Sequence, residues 1–377
     1  MHLNHNIFHF LKNRELNELY ASIAIRAFAF ALTGVFIPIY LYQLGYSFTA
    51  IFFFYCLLGL TAAISSLVSA KIFSRVGLKH CMLISMPFLI VFIALLYTLE
   101  GFRWPLILLS LIYGISAAFF WVPYHIDFTK FSNKKQRGMQ VGFSKIIAAV
   151  FAAMGPGVGG LILAFFGFHI LFITVTIFLI GSIIPLFLTK EIHQPFHFSL
   201  KEFFQGQKLK EILGFVGHGA EMRLGWVVWP LFIFLFILGK KYIALGIVSS
   251  LALFSGMIFI FFAGKLSDMK RRKGTLKIGA VTNAIIWIIK SFIVTPLQVI
   301  IADIFYGATQ ATIHVPFDAI TYDKARKRNL TGMILQREFY VHLGASLMFL
   351  ILIIFTDSIV EIFRYGGPLS SLLRFFF

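Results

Sequence analysis

Long apolar runs separated by short charged breaks repeat along the whole chain. Runs of 18 or more residues recur from about residue 18 to the C-terminal region, which is the length a helix needs to cross a hydrocarbon layer. The runs are continuous rather than alternating, so a membrane β-barrel is excluded. Helices satisfy their own backbone N–H and C=O groups where lipid offers no partner. The pattern predicts spans at about 18–44, 48–70, 81–99, 104–126, 138–160, 168–189, 212–238, 242–263, 276–293, 297–319 and 332–355. Pro38 should kink the first of them.

The runs fall into two related halves. Ala70-Lys71-Ile72-Phe73-Ser74-Arg75-Val76-Gly77-Leu78-Lys79 returns 194 residues later as Gly264-Lys265-Leu266-Ser267-Asp268-Met269-Lys270-Arg271-Arg272-Lys273. Val122-Pro123-Tyr124 returns as Val315-Pro316-Phe317, Gly138-Met139 as Gly332-Met333, and Tyr113-Gly114 as Tyr306-Gly307, all at offsets of 193–194. The division expected is a six-helix N-terminal bundle over 1–189, a polar linker over 190–211, and a C-terminal bundle over 212–377. Ser199-Leu200-Lys201-Glu202 is a capping box that starts a short surface helix in the linker. By the offset, the partner of span 6 begins near 362–366, which leaves Gly366–Phe377 as half a span. A truncated twelfth helix is therefore expected, with a groove open to lipid.

Composition agrees, with 59% hydrophobic residues, 13% charged and 47 Phe among 377, well to the apolar side of a soluble domain. The net charge of +18 raises the question of nucleic acid. However, 25 of the 33 Lys and Arg fall at the N-terminus and in alternate loops, and five in the opposite set. That is the positive-inside asymmetry. It predicts a multi-pass protein of the cell's inner membrane, with a cytoplasmic N-terminus and no nucleic-acid partner, since the charges sit in short loops rather than a tail. Cys56 and Cys81 have no ligand-like spacing and read as packing residues. His2, His5 and His9 sit in an interfacial lead, and His193 and His197 in a loop. No metal site is expected.

The turn Gly264-x-Leu266-x-Asp268-x-x-x-Arg272-Lys273, between the second and third spans of a half, resembles the loop motif of the major facilitator superfamily. The first-half copy keeps Arg75, Gly77 and Lys79 but has Ala70 and Ser74 for the glycine and the aspartate. Gly34…Pro38 and Gly155-Pro156…Gly159-Gly160 are similar to motifs of its drug and organic-compound exporters, although Phe151 stands where another glycine is expected. Gly114…Pro123…Asp127…Arg137-Gly138 is similar to its fourth-helix region. Many proton-coupled members carry an arginine where this chain has Ser110, whose repeat partner is Asp303. The resemblance implies an all-α polytopic protein of two pseudo-symmetric six-helix bundles. These rock about a central cavity, move a small-molecule substrate as a monomer, and need no cofactor beyond a proton or ion gradient.

Ionisable residues inside spans are costly, about 2.5–3.5 kcal/mol each at mid-depth on insertion scales, and are therefore informative. Arg26 in span 1 and His218, Glu221 and Arg223 in span 7 lie at similar depths. Arg26 and His218 are repeat partners at an offset of 192, as are Pro38 and Pro230. Two roles are open for Arg26: binding an anionic group, or a gated pair with Glu221. A purely structural role is the alternative. Gln310 and His314 in span 10 and His342 in span 11 are further substrate or coupling candidates, with His342 one turn above Glu338 and able to titrate between about pH 5 and 8. Gly264, Asp268 and Arg272, with Arg75 and Gly77, are candidates for a conformational latch in which Asp268 accepts bonds from a helix N-terminus. Topogenic charge alone is the alternative. Gly155, Pro156, Gly159 and Gly160 form a helix-packing motif. The reading is a secondary transporter leaning to export, with a nutrient (sugar or organic anion) importer as the rival. A membrane hydrolase would need a nucleophile–base pair or a metal triad, which the spacing lacks, and a channel would not need the repeated latch.

Overall fold

A computed structural model describes residues 14–132, 137–188, 203–268 and 272–377. The lead histidines, His193, His197 and the linker capping box lie outside these residues. The described chain forms helices without strands. We number them α1 (Arg14–Gln43), α2 (Phe48–Val76), α3 (Leu78–Phe102), α4 (Leu106–Phe131), α5 and α6 (137–166 and 168–181), α7 (Leu209–Phe236), α8 (Tyr242–Asp268), α9 (Arg272–Lys290), α10 (Pro296–Lys327), α11 (Leu330–Ile354) and α12 (359–376). Eight helical segments of the described residues, one of them covering both α5 and α6, are long and apolar enough to cross a membrane on length and composition alone. The segments α9, α10 and α12, which carry more polar and charged residues, are not among them.

Local signals set the boundaries. In α1 the regular helix stops at Thr33 and restarts at Ile37. Pro38 has no N–H to donate and its ring crowds the carbonyl four residues back. Gly77, at φ 94°, ends α2 and opens α3, a conformation that favours glycine. Gly167, at φ 76°, breaks α5 from α6. Thr295 and Gln298 form a capping box at the start of α10, with Pro296 in its first turn.

Packing repeats between the halves. The pairs α1–α5, α2–α4, α3–α4 and α3–α6 have counterparts in α7–α11, α8–α10, α9–α10 and α9–α12. The bundles meet along two seams, α2–α11 and α5–α8. Small residues permit these close crossings. A Cβ at Gly219 would overlap the Val341 carbonyl, and one at Gly344 the Val216 carbonyl. Gly59 leaves room for the His342 carbonyl and Ser346 across the α2–α11 seam.

The truncated twelfth helix is corrected. Residues 359–376 run as a bent helix containing a π turn at Ile362–Gly366. At about 1.5 Å per residue its length is about 27 Å, close to a hydrocarbon thickness. It packs on α9 as α6 packs on α3, with Gly367 against the Trp287 ring, so the expected groove is filled. The helix starts three to seven residues earlier than the offset suggested, and Glu361 and Arg364 interrupt its apolar run.

Two apolar layers are stacked along the bundle, each drawing residues from both halves. One lies towards the end that carries the basic loops, with Tyr20, Phe128 and Phe317. The other lies towards the opposite end, with Phe36, Tyr55 and Phe349. Large side chains such as Phe165, Ile177 and Phe254 are exposed on the outside, as a lipid-facing surface requires.

Candidate functional site

Most in-span charges are consumed in fixed networks. Glu221 on α7 is fully buried. Its Oε2 accepts from Arg374 Nη1 at 3.2 Å. Its Oε1 accepts from Asn283 Nδ2 (3.0 Å), Trp287 Nε1 (2.9 Å), Tyr306 OH (3.0 Å) and Gln310 Nε2 (2.9 Å). All five partners come from α9, α10 and α12. Gly225 on the next turn of α7 leaves room for the Tyr306 hydroxyl. The proposed Arg26–Glu221 pair is therefore corrected. Glu221 occupies the face of α7 turned into its own bundle, and α1 packs on α7 chiefly through their outer segments, beyond both residues. Gln310 belongs to this network and also donates to Asn283 Oδ1 at 3.1 Å.

A second buried pair lies nearer the opposite end. Lys290 Nζ is 2.8 Å from Asp303 Oδ1 and lies over the rings of Tyr306, Trp229 and Trp287. Trp229 Nε1 donates to both Asp303 oxygens. Lys290, inside the span expected at about 276–293, is 1% exposed.

Towards the basic end the networks cross between bundles. Asp318 on α10 binds Lys145 of α5 at 2.8 Å and Arg337 of α11 at 2.9 Å. Arg337 also pairs with Glu338, whose carboxylate lies 3.5 Å from His125 Nε2 of α4. His125 Nδ1 and the Tyr322 hydroxyl are 2.6 Å apart. Arg326 donates to the carbonyls of Thr129 and Lys130. At the opposite end, Tyr242 OH donates to Gln43 Oε1 at 2.6 Å, again between bundles.

Between the two apolar layers lies a group without such partners. Arg26 is 1% exposed, and no carboxylate reaches it among the described residues. Its guanidinium lies 3.7 Å from the Phe120 ring centroid and 4.9 Å from that of Phe30. Nη1 touches Met86 Sδ at 3.8 Å, and Nε donates to nothing. Arg223 on α7 is half-buried and is close enough to Tyr55, Tyr113 and His342 to act on each electrostatically. Tyr113 is also a neighbour of Arg26. Both ring nitrogens of His342 lack hydrogen bonds, and its Nε2 is 3.7 Å from Glu338. His218 stacks on Phe317 at 4.4 Å and meets His314 edge-on at 4.8 Å. The structure thus puts Arg223 within electrostatic reach of His342, and Tyr113 within reach of both arginines. It places His218 and His314 together inside the C-terminal bundle, within electrostatic reach of Asp318 and Arg374, and Gln310 on Glu221.

The latch candidates separate. Arg272 pairs with Asp323 inside the C-terminal bundle. Gly77 is the hinge between α2 and α3, whereas Arg75 is exposed. In the first-half copy Lys79 forms the contact, at 2.8 Å from both Glu15 and Glu18 of α1. The surroundings of Gly264 and the Asp268 side chain lie outside the described residues. The glycine motif sits where three helices meet. Gly155 and Gly159 press on Ala31 and Leu32 of α1, while Gly160 and Pro156 press on Tyr242 and Gly246 of α8.

Sequence reasoning missed Lys290, Arg374, Lys145, Arg337 and His125. A signal existed, since Glu221, Asp303, Asp318 and Glu338 all fall within apolar runs and a buried acid needs a cation.

The fold is similar to that of solved transporters. The crystal structure of the human organic anion transporter MFSD10 (TETRAN) superposes with a TM-score of 0.69 and 11% identity, over 96% of this chain and 98% of that one. No curated protein matches in sequence. The family model described as Major Facilitator Superfamily matches residues 19–240, which is more than half of the chain and includes α1 to α7. With the paired bundles and the two seams between them, that match shows that the chain is a multi-pass transporter belonging to the Major Facilitator Superfamily.

Proposed function

We propose that this chain is a secondary active transporter that carries an organic anion out of the cell by alternating access. One observation carries the reading: Arg26 is a buried cation at the level where the two apolar layers meet, with no acid among the described residues to neutralise it. Its ring contacts are worth about 2 kcal/mol in a desolvated setting. Burial costs about 2.5–3.5 kcal/mol at mid-depth. A residual charge is thus held ready, and an anionic cargo removes it. The solved transporter with the similar fold is named for organic anions, which agrees in kind. The inter-bundle bonds at both ends supply the two gates that alternating access requires, one of which opens while the other stays shut. Export is supported by the glycine seam against α1 and α8, where the chain resembles exporters. The charge split supports an inner membrane with the basic end cytoplasmic, so cysteine labels at Ser132 and Ser47 react from opposite sides.

The test is flux in proteoliposomes with organic anions, cations and neutral solutes, in both directions, with and without a pH gradient. Anion flux that Arg26→Gln abolishes and Arg26→Lys partly retains is the expected result. Flux confined to cations or neutral solutes, or full anion flux in Arg26→Gln, would overturn it. Inward-only flux would replace export by import.

A further inference from the structure

We propose that His125 is a proton-binding site built into the seal between the bundles at the basic end, and that a proton taken there releases the seal. The inference rests on the reading of those inter-bundle bonds as a gate and does not depend on the cargo.

His125 lies near the end of α4 and is 6% exposed. Trp121 stacks on it at 5.8 Å. Tyr124, whose hydroxyl is shared with Ser144 of α5, meets it edge-on at 5.1 Å. Both ring nitrogens face the other bundle. Nδ1 is 2.6 Å from the Tyr322 hydroxyl of α10, and Nε2 is 3.5 Å from Glu338 Oε1 of α11. A neutral ring answers both with one proton, its Nε2–H turned to the carboxylate and its Nδ1 accepting from the tyrosine. A second proton on Nδ1 sets a donor against the phenol O–H, which must turn away and lose its acceptor.

The surrounding charge is already balanced. Arg337 of α11 pairs with Asp318 and Glu338, and Lys145 of α5 takes the other oxygen of Asp318. Two cations thus match two acids. The second oxygen of Glu338 lies 3.7 Å from His342 Nε2 on its own helix. Arg326, one turn beyond Tyr322, is bound to the carbonyls of Thr129 and Lys130. An imidazolium at His125 adds a fifth charge to this balanced set, where little water can answer it. Once α4 parts from α10 and α11, the ring meets water and titrates between about pH 5 and 8. The proton therefore binds the open gate better than the closed one, and shifts the population towards the open gate. One proton changes that ratio by at most about tenfold per pH unit. His342 shares Glu338 but sits on the same helix, so its proton leaves the inter-bundle bonds in place.

The experiment is double electron–electron resonance on the full-length protein in lipid nanodiscs, with spin labels at Lys130 and Lys327 and no added cargo. The native Cys56 and Cys81 are buried, so the labels go to the introduced cysteines. Between about pH 8 and about pH 5.5 the fraction of long distances should rise at least about threefold. His125→Gln keeps one donor and one acceptor without a charge, and should stay closed at both pH values. His342→Gln should keep the wild-type response. Equal distributions at the two pH values in the wild type, or closing on acidification, would overturn the inference. So would a response that survives His125→Gln or vanishes in His342→Gln. The wild-type pair of distributions decides the matter even where a variant fails to fold. Asp318→Asn, which takes the acid from Lys145, separates the two readings. Long distances in that variant without a pH response in the wild type would remove the proton and leave the gate standing, whereas short distances throughout would remove the gate as well.

Discussion

The Glu221–Arg374 pair lends itself to a quantitative test, because both residues are fully buried and their partners differ. In Glu221→Gln the Arg374 charge loses its carboxylate. What remains to it is Ser371, through Oγ at 2.7 Å and the backbone oxygen at 3.4 Å. An isolated buried charge of this kind costs about 3–5 kcal/mol. The new amide also turns an NH2 group towards a site lined by donors. In Arg374→Gln the carboxylate keeps its bonds from Asn283, Trp287, Tyr306 and Gln310, so the loss should be smaller, about 2–3 kcal/mol. In the double variant no charge is stranded. Its loss should fall short of the sum by about 2–3 kcal/mol, as expected for residues in direct contact. Reversible unfolding in mixed dodecylmaltoside–SDS micelles, followed by the fluorescence of tryptophans such as Trp287, measures all three. Additive losses, or a Glu221→Gln loss below about 1 kcal/mol, would refute the reasoning, since a fully buried ion pair cannot be broken from either side without cost.

Lys290→Met should leave Asp303 with the Trp229 indole as its hydrogen-bond donor and lower stability by about 3 kcal/mol in the same assay. Tyr322→Phe removes the hydroxyl that meets His125 across the bundles, worth about 1 kcal/mol. Spin labels at Lys130 and Lys327 should then show a larger fraction of long distances, whereas unchanged distances would remove that contact from the gate. Arg26→Met should abolish transport yet raise stability by about 1–3 kcal/mol, because it replaces an unpaired buried cation with an apolar chain among aromatic rings. A loss of stability would show that the guanidinium is structural.

Several features were legible from residue order alone because their causes are local. Apolar runs mark helices, since hydrocarbon imposes the same demand on every backbone group. Pro38 marks a break, since a ring without an N–H acts within four residues. The repeat offset marks two bundles, since equal sequences bury equal faces. Gly155, Gly159 and Gly160 mark close crossings, since only a missing Cβ permits them. The family loop was readable too, and in its first-half copy Lys79 rather than Arg75 makes the ion pairs. The twelfth helix was misjudged because a charged turn interrupted its run.

Which charge meets which was not legible. Arg26 and Glu221 lie at similar depths on helices related by the repeat, and a pair between them was a fair expectation. Two residues on a helix separated by two positions point about 200° apart at 3.6 residues per turn, so Glu221 and Arg223 serve different neighbours. Only the packing of α7 against α9, α10 and α12 on one side, and towards α2 and α11 on the other, decides which neighbours those are. The order of residues determined the helices, the repeat and the presence of charges within the membrane. Tertiary structure decided which of those charges are neutralised and that Arg26 is left over. The reason is range: helix formation is settled within a few residues, whereas neutralising Glu221 requires Arg374, which lies 153 positions away along the chain.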